Sequence, residues 1–100
     1  MKDVKIGGLM LVKCENFFLS DSEFGAIGLL RSKNCVVEDC HITNAIEIFK
    51  SVNVTVQNCM IGTLKLNKAH DNKIIKNEIQ TLIFKKSSNN VLEMNKIYDL

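Results

Sequence analysis

Proline and tryptophan are both absent from this chain of 100 residues. A proline inside a sheet lacks the N–H that pairs with a neighbouring strand, so its absence leaves every segment free to pair on both sides. No apolar run approaches the roughly 20 residues that a membrane-spanning helix requires. Charged residues, Lys13 among them, interrupt the N-terminal segment, which argues against a secretory signal and leads us to expect a cytoplasmic protein.

An excess of charge of one sign is also lacking. The 13 basic and 11 acidic residues give a net charge of +2, which is too small to indicate a polyanionic partner by itself. The four cysteines form no C-x-x-C pair and are too sparse for a disulfide scaffold, so we expect reduced thiols. We also expect neither a bound metal nor a cofactor.

The chain does contain a short repeat with a period of about 18 residues. Its first apolar column keeps this spacing throughout, and one extra residue near Asn44 is the single irregularity. Three further columns keep the same register, and Ile6 extends the last of them upstream. The four columns are Leu9, Ile27, Ile46, Leu64 and Leu82; Leu11, Leu29, Ile48, Leu66 and Phe84; Leu19, Val37, Val56, Ile74 and Leu92; and Phe24, Ile42, Ile61, Ile79 and Ile97.

Each repeat consists of short runs of Val, Ile and Leu that are broken by Asn, Ser and Gly, and such runs indicate strands rather than helices. Coils stacked about 4.8 Å apart would let each backbone pair with the coils above and below. The repeat therefore predicts an all-β parallel solenoid in a single domain spanning 1–100, with a partial coil or cap at 1–8 and five coils at 9–100. A leucine-rich repeat is excluded because it needs a longer period. A left-handed helix of hexapeptide repeats is excluded because the positions between these columns hold charged and polar residues instead of regularly recurring aliphatic ones.

Three segments carry a resemblance to a known class. NCVVEDCHI at 34–42, NVTVQNCMI at 53–61 and SNNVLEMNKI at 88–97 resemble the N-x-x-V-x-N-x-x-I coil of right-handed parallel β-helix proteins of the pectate-lyase-like class. The resemblance implies a right-handed β-helix of about five coils. It leaves function open, because that class includes polysaccharide lyases, glycoside hydrolases, phage tailspikes and noncatalytic modules.

One cation in every repeat falls at the same position. At the expected coil spacing the five side chains would lie along a line of roughly 19 Å, which suits an acidic polysaccharide or a nucleic acid. The alternative is a solvated surface that keeps the sheet soluble. These candidate ligand-binding residues are Lys13, Arg31, Lys50, Lys68 and Lys86.

Three positions further on, Asn or Asp recurs, and we expect a ladder of stacked amides at a left-handed turn. The residues of this column are Asn16, Asn34, Asn53, Asp71 and Asn89.

An acidic corner offers weak candidates for catalysis. Asp21 and Asp39 share a column beside His41, and two carboxylates at one coil spacing could act as an acid and base pair. The alternative is a solvated corner, because no polygalacturonase or pectate-lyase signature accompanies them. Cys40 and Cys59 also share a column at a spacing inside the disulfide window, where stacked thiols are the favoured interpretation.

The C-terminal end should expose part of the core. Solenoids need polar caps, and nothing follows the last coil, so Phe84, Leu92, Ile97 and Leu100 are predicted interface residues. We therefore expect a homo-oligomer or docking on a larger β-helical partner. The leading hypothesis is a noncatalytic structural module that assembles through its ends, and the alternative is a carbohydrate-active enzyme or the remnant of one.

Overall fold

The computed structural model describes residues 1–99, and these form eleven strands. None of the described segments is a helix long and apolar enough to cross a membrane. The strands are β1 (Lys5–Val12), β2 (Phe18–Ser20), β3 (Glu23–Leu30), β4 (Val36–Glu38), β5 (His41–Phe49), β6 (Thr55–Gln57), β7 (Met60–Asn67), β8 (Lys73–Ile75), β9 (Glu78–Lys85), β10 (Val91–Glu93) and β11 (Lys96–Asp99).

Long and short strands alternate along the chain and separate into two parallel sheets. The long strands form a six-stranded sheet in the order β1-β3-β5-β7-β9-β11, and the short strands form a five-stranded sheet from β2 to β10. A line of single parallel bridges closes the third side of each coil. The predicted fold class is confirmed: the chain is an all-β parallel β-solenoid of about five coils. The bridged residues are Glu15, Lys33, Val52, His70 and Ser88.

The predicted apolar columns are the core. Leu29 pairs with Ile48, and Ile48 pairs with Leu66, so the three side chains lie one above the next, and none of them is exposed to solvent. The other three columns pair in the predicted register as well. Burying such an aliphatic side chain contributes about 1.5–3 kcal/mol, so the interior columns are the main stabilising feature of the solenoid.

The extra residue predicted near Asn44 is a bulge. The register between β5 and β7 shifts between Ile42 and Ala45, where the backbone of Thr43 and Asn44 protrudes toward the next coil. Gly62 lies against this protrusion, and a Cβ there would collide with the carbonyl oxygens of Asn44 and Thr43. Glycine is therefore required at this position by close backbone approach.

Each coil turns at three corners, and at each corner one non-glycine residue has a positive φ between 49° and 61°. We number the corners in chain order. The first corner, before the long strand, contains Asp3, Asp21, Asp39, Asn58, Lys76 and Met94; the second contains the predicted cation column; and the third contains the predicted asparagine column. Asn and Asp tolerate this left-handed conformation better than other side chains, which explains their use at two of the corners.

The residue after each corner turns inward, and where this residue is Ser or Asn its side chain bonds to a neighbouring coil. The N–H of Ser32 donates to Ser51 Oγ over 3.0 Å, and the N–H of Cys59 donates to Asn77 Oδ1 over 2.9 Å. The N–H of Val54 donates in the same way to Asn72, also over 2.9 Å. These contacts account for polar side chains in an otherwise apolar interior, because each satisfies a backbone group that the corner removes from the sheets.

Candidate functional site

A groove of about 580 Å³ runs along the first corner. Asp21, Asp39 and His41 line it together with Cys40 and Met60. The structure therefore brings the three weak catalytic candidates of the sequence to one groove. Its walls come from successive coils, because Glu23 at the start of β3 pairs with His41 at the start of β5.

The two aspartates are held by their backbones and have exposed side chains. The N–H of Asp21 donates to the Glu38 carbonyl over 3.3 Å, and the N–H of Asp39 donates to the Gln57 carbonyl over 3.2 Å. Within residues 1–99 the ion pairs lie elsewhere, between Lys5 and Glu23 and between Lys65 and Glu47. Among the described residues the aspartates thus take part in no ion pair that would orient a substrate or tune a proton transfer.

Two thiols follow the first corner in successive coils. They belong to Cys40 and Cys59, whose exposed fractions are 4% and 2%. The Cys59 thiol can donate a hydrogen bond to a Cys40 thiolate, which lowers the pKa of Cys40 to about 7, and the backbone of Ser22 adds to the effect. The same partnership, together with burial, raises the pKa of Cys59. The pair therefore combines one acidic thiol with one that retains its proton.

No group of three His, Cys, Asp or Glu side chains in the part of the chain described here is arranged to hold a metal ion. The thiol pair has two sulfur ligands, and a structural zinc site needs four ligands. His41 and His70 occupy different columns, since His41 starts β5 and His70 bridges Val52 on the third side.

The five predicted ligand-binding cations lie at the second corner, one in each coil, and all are exposed. Their backbones are in register: the N–H of Lys13 donates to Leu30 O over 2.8 Å, and the N–H of Lys50 donates to Asn67 O over 3.1 Å. Among residues 1–99 these side chains take part in no ion pair. Lys50 Nζ lies 5.3 Å from the centroid of the Phe49 ring, which is close enough for a cation–π contact.

The asparagine column shows less side-chain bonding than a continuous ladder requires. Asn53 Nδ2 donates to Asn34 Oδ1, and that is the one amide pair found in this column along residues 1–99. Two other amide-to-amide hydrogen bonds lie inside the solenoid, from Asn72 to Asn90 and from Asn77 to Asn95. Sequence analysis missed this interior set, although its asparagines each follow a corner position and recur at the period of the repeat.

Three of the four predicted interface residues lie at the C-terminal end of the core. Phe84 has an exposed fraction of 44%, and Leu92 and Ile97 are half-buried. Leu100 lies outside the described residues.

A second, smaller groove of about 450 Å³ crosses the outer face of the six-stranded sheet and was not predicted. The signal that could have found it is the run of small residues Gly8, Ala26 and Ala45, which share one outward column.

Comparison of the chain with known protein families, with curated proteins and with solved structures gave no significant match. The structure shows a parallel β-solenoid, and the resemblance to the pectate-lyase-like class stays a prediction.

Proposed function

We propose that the chain is a noncatalytic β-helix module that associates through the open C-terminal end of its core, inside the cell. One observation carries the proposal. The column that begins with Leu11 is sealed through four coils, with exposed fractions of 6%, 0%, 0% and 0%, and then opens at Phe84, which is 44% exposed. Burying a large aromatic side chain removes much apolar surface from water, so a partner that covers Phe84 at the end of this buried column would be strongly favoured.

The backbone at this end is also open. The short strand β11 pairs with β9 from Glu78 to Thr81, and the segment from Ile83 to Lys85 has no partner strand on that side among the described residues. An edge of this kind presents N–H and C=O groups that another strand can pair with. Core burial and strand pairing therefore favour the same surface.

The N-terminal end differs, because residues before β1 cover part of it. The Met1 amino group donates to Phe18 O over 2.8 Å, and the N–H of Ser20 donates to Met1 O over 2.9 Å. Lys2 bridges Ser20 as a parallel partner. Since one end has some cover, we propose a closed dimer in which two C-terminal ends meet, and docking of that end on a larger β-helical partner is the alternative.

Sedimentation velocity over a concentration series tests the proposal. The wild-type chain should shift from monomer to dimer as concentration rises, and Phe84→Glu should remain monomeric because it places a charge at the centre of the interface. Met60→Glu is the matched control, because Met60 is 52% exposed on the side of a middle coil. A wild-type chain that stays monomeric at millimolar concentration would refute the proposal, as would equal effects of the two variants.

A second function is supported by the cation column. Five exposed cations in successive coils, outside any ion pair within residues 1–99, match the repeat of an extended polyanion. We propose that an acidic polysaccharide or a nucleic acid binds along the second corner. Such contacts are sequence-independent and weaken as salt concentration rises.

The test uses heparin and duplex DNA as probes. Replacing both Lys50 and Lys68 by Glu should weaken binding by about tenfold or more and reduce its salt dependence. The control replaces Lys73 and Lys76, which are exposed on other surfaces, and changes the net charge equally. An equal loss of affinity in the two double variants would show nonspecific attraction to a basic protein and would contradict the proposal.

The groove that gathers Asp21, Asp39 and His41 favours the enzymatic alternative. In that case the chain would cleave a pectin-like polymer, and Asp39→Asn would abolish cleavage while leaving the fold intact. Their exposed, unpaired carboxylates make this the weaker proposal. Reducing-sugar release from polygalacturonate distinguishes it from the noncatalytic module.

A further inference from the structure

The thiol pair at the first-corner groove has an arrangement that the other two cysteines lack. Cys40 and Cys59 occupy the same column in adjacent, hydrogen-bonded coils, where Met60 N donates to Cys40 O over 3.0 Å. The stacking distance of about 4.8 Å between such coils lies inside the range of Cα separations found in disulfides. Cys14 and Cys35 follow different corners and have no cysteine above or below them.

The two thiols make matching hydrogen bonds, since Cys40 Sγ donates to Glu38 O over 3.2 Å as Cys59 Sγ does to Gln57 O, but they differ in their position relative to the groove. Cys40 is one of the residues that line the groove and has an exposed fraction of 4%, whereas Cys59 is not part of the groove lining and has an exposed fraction of 2%. Cys59 Sγ donates to Gln57 O over 3.2 Å and reaches Val37 O over 3.6 Å. If Cys40 ionises, the Cys59 S–H can turn from these carbonyls to the new thiolate, which is the contact that lowers the pKa of Cys40 to about 7.

We propose that Cys40 and Cys59 are a thiol modification site that hydrogen peroxide converts into a disulfide between neighbouring coils. The Cys40 thiolate attacks one peroxide oxygen, so that an S–O bond forms, the O–O bond breaks, and the leaving hydroxide takes a proton to become water. Cys59 then attacks the Cys40 sulfur. An S–S bond forms, the S–O bond breaks, and the departing oxygen takes the Cys59 proton to leave as a second water.

The geometry assigns the roles within the pair. Cys40, the more acidic thiol and a residue of the groove wall, reacts first because the thiolate is the nucleophile, and Cys59 resolves the sulfenic acid. The product would staple two coils by closing the loop from Cys40 to Cys59, and such a link restricts the unfolded chain. Thiol reductants reverse it, so the site can respond to peroxide in a reducing compartment.

The experiment treats the folded chain with hydrogen peroxide and counts its thiols. The count should fall from four to two, and the intact mass should fall by two hydrogen atoms. Peptide mapping without reductant should join the segment containing Cys40 to that containing Cys59. The urea midpoint should rise on oxidation and return after reduction.

Two variants separate the proposal from general thiol oxidation. Cys59→Ser should abolish the bridge and leave a Cys40 sulfenic acid that dimedone traps; Ser fits this column, because Ser22 already occupies it one coil before Cys40. Cys35→Ser removes an equally buried thiol outside the pair, and the bridge should form unchanged. Linkage of other cysteine pairs, persistence of four thiols, or bridging only in denaturant would overturn the proposal.

Discussion

Asn77 provides the sharpest test of how the corners are stabilised. Its side chain is buried, its Oδ1 accepts from the N–H of Cys59 over 2.9 Å, and its Nδ2 donates to the carbonyl of Val56 over 2.8 Å. Nδ2 also lies 3.2 Å from Asn95 Oδ1. Asn77→Ala would leave two buried backbone groups in the preceding coil without partners.

The expected loss follows from those two groups. Each buried and unsatisfied polar group costs about 1–3 kcal/mol, so Asn77→Ala should lower the free energy of unfolding by about 2–6 kcal/mol. That is a large part of the about 5–15 kcal/mol typical of a natural domain. Urea denaturation followed by far-ultraviolet circular dichroism measures it as a lower midpoint with an unchanged slope.

Asn77→Ser is the matched control. Serine keeps an acceptor and a donor, and Ser51 shows both uses, because it accepts from Ser32 N and donates to Leu29 O over 3.2 Å. Asn77→Ser should therefore lose about half as much stability as the alanine variant, or less. Two results would refute the reasoning: an alanine variant within about 0.5 kcal/mol of wild type, or equal losses in the two variants.

A polar side chain after a corner stabilises the preceding coil by accepting from its N–H. Ala69 follows a corner but has no such acceptor, so adding one there should raise the free energy of unfolding. The N–H of Ala69 itself donates to Ser87 Oγ over 3.0 Å, and Ser32 donates to Ser51 in the same column. Ala69→Ser would give the N–H of Ser51 an equivalent acceptor. The free energy of unfolding should rise by about 1 kcal/mol, and a fall of that size would contradict the rule.

Two further predictions concern the bulge and the thiol pair. Gly62→Ala should destabilise the chain by about 1–3 kcal/mol in urea denaturation, because its Cβ meets the Asn44 carbonyl, whereas Gly8→Ala, which meets no atom within 4 Å, should be close to neutral. The rate at which methyl methanethiosulfonate modifies Cys40 should rise with pH through a midpoint of about 7, since the thiolate forms above the pKa. Cys59→Ala removes the hydrogen-bond donor, so the midpoint should move up toward the ordinary thiol value of about 8.5.

The core could be predicted from sequence because each inward strand position must be apolar in every coil. The regular spacing of Leu29, Ile48 and Leu66 along the chain defines a register that the strand pairs reproduce. The extra residue near Asn44 could also be predicted from sequence. A bulge lengthens one repeat by a residue and leaves the alternation of inward and outward side chains unchanged on either side.

The corners could be predicted only in part. A column of asparagines indicates a left-handed turn, and Asn34 and Asn53 do have positive φ. A column of lysines gives no such signal, yet Lys50 and Lys68 have the same conformation. Their φ follows from the path of the coil, because the chain must turn there to reach the third side.

The interior asparagines escaped prediction because polar residues are usually exposed. Asn72 has an exposed fraction of 0%; its side chain accepts from the N–H of Val54 and donates to the carbonyl of Ser51 in the preceding coil, and its own N–H donates to Asn90 Oδ1 in the following one. Those partners exist only after the coils have stacked, so no local pattern shows them. The groove at the first corner likewise depends on stacking, which brings Asp21 beside Asp39 although they lie one full repeat apart in the sequence.

The direction of the corner hydrogen bonds bears on how the open end associates. In each interior pair the N–H points toward the following coil, whose side chain supplies the acceptor, as from Asn77 N to Asn95 Oδ1 over 2.9 Å. The last coil therefore directs donors outward. The equivalent first positions at the N-terminal end are Val4, Cys14 and Phe17, which offer no oxygen or amide acceptor. Head-to-tail stacking would leave three donors unpaired, at about 1–3 kcal/mol for each one that is buried, and this cost counts against an extended filament.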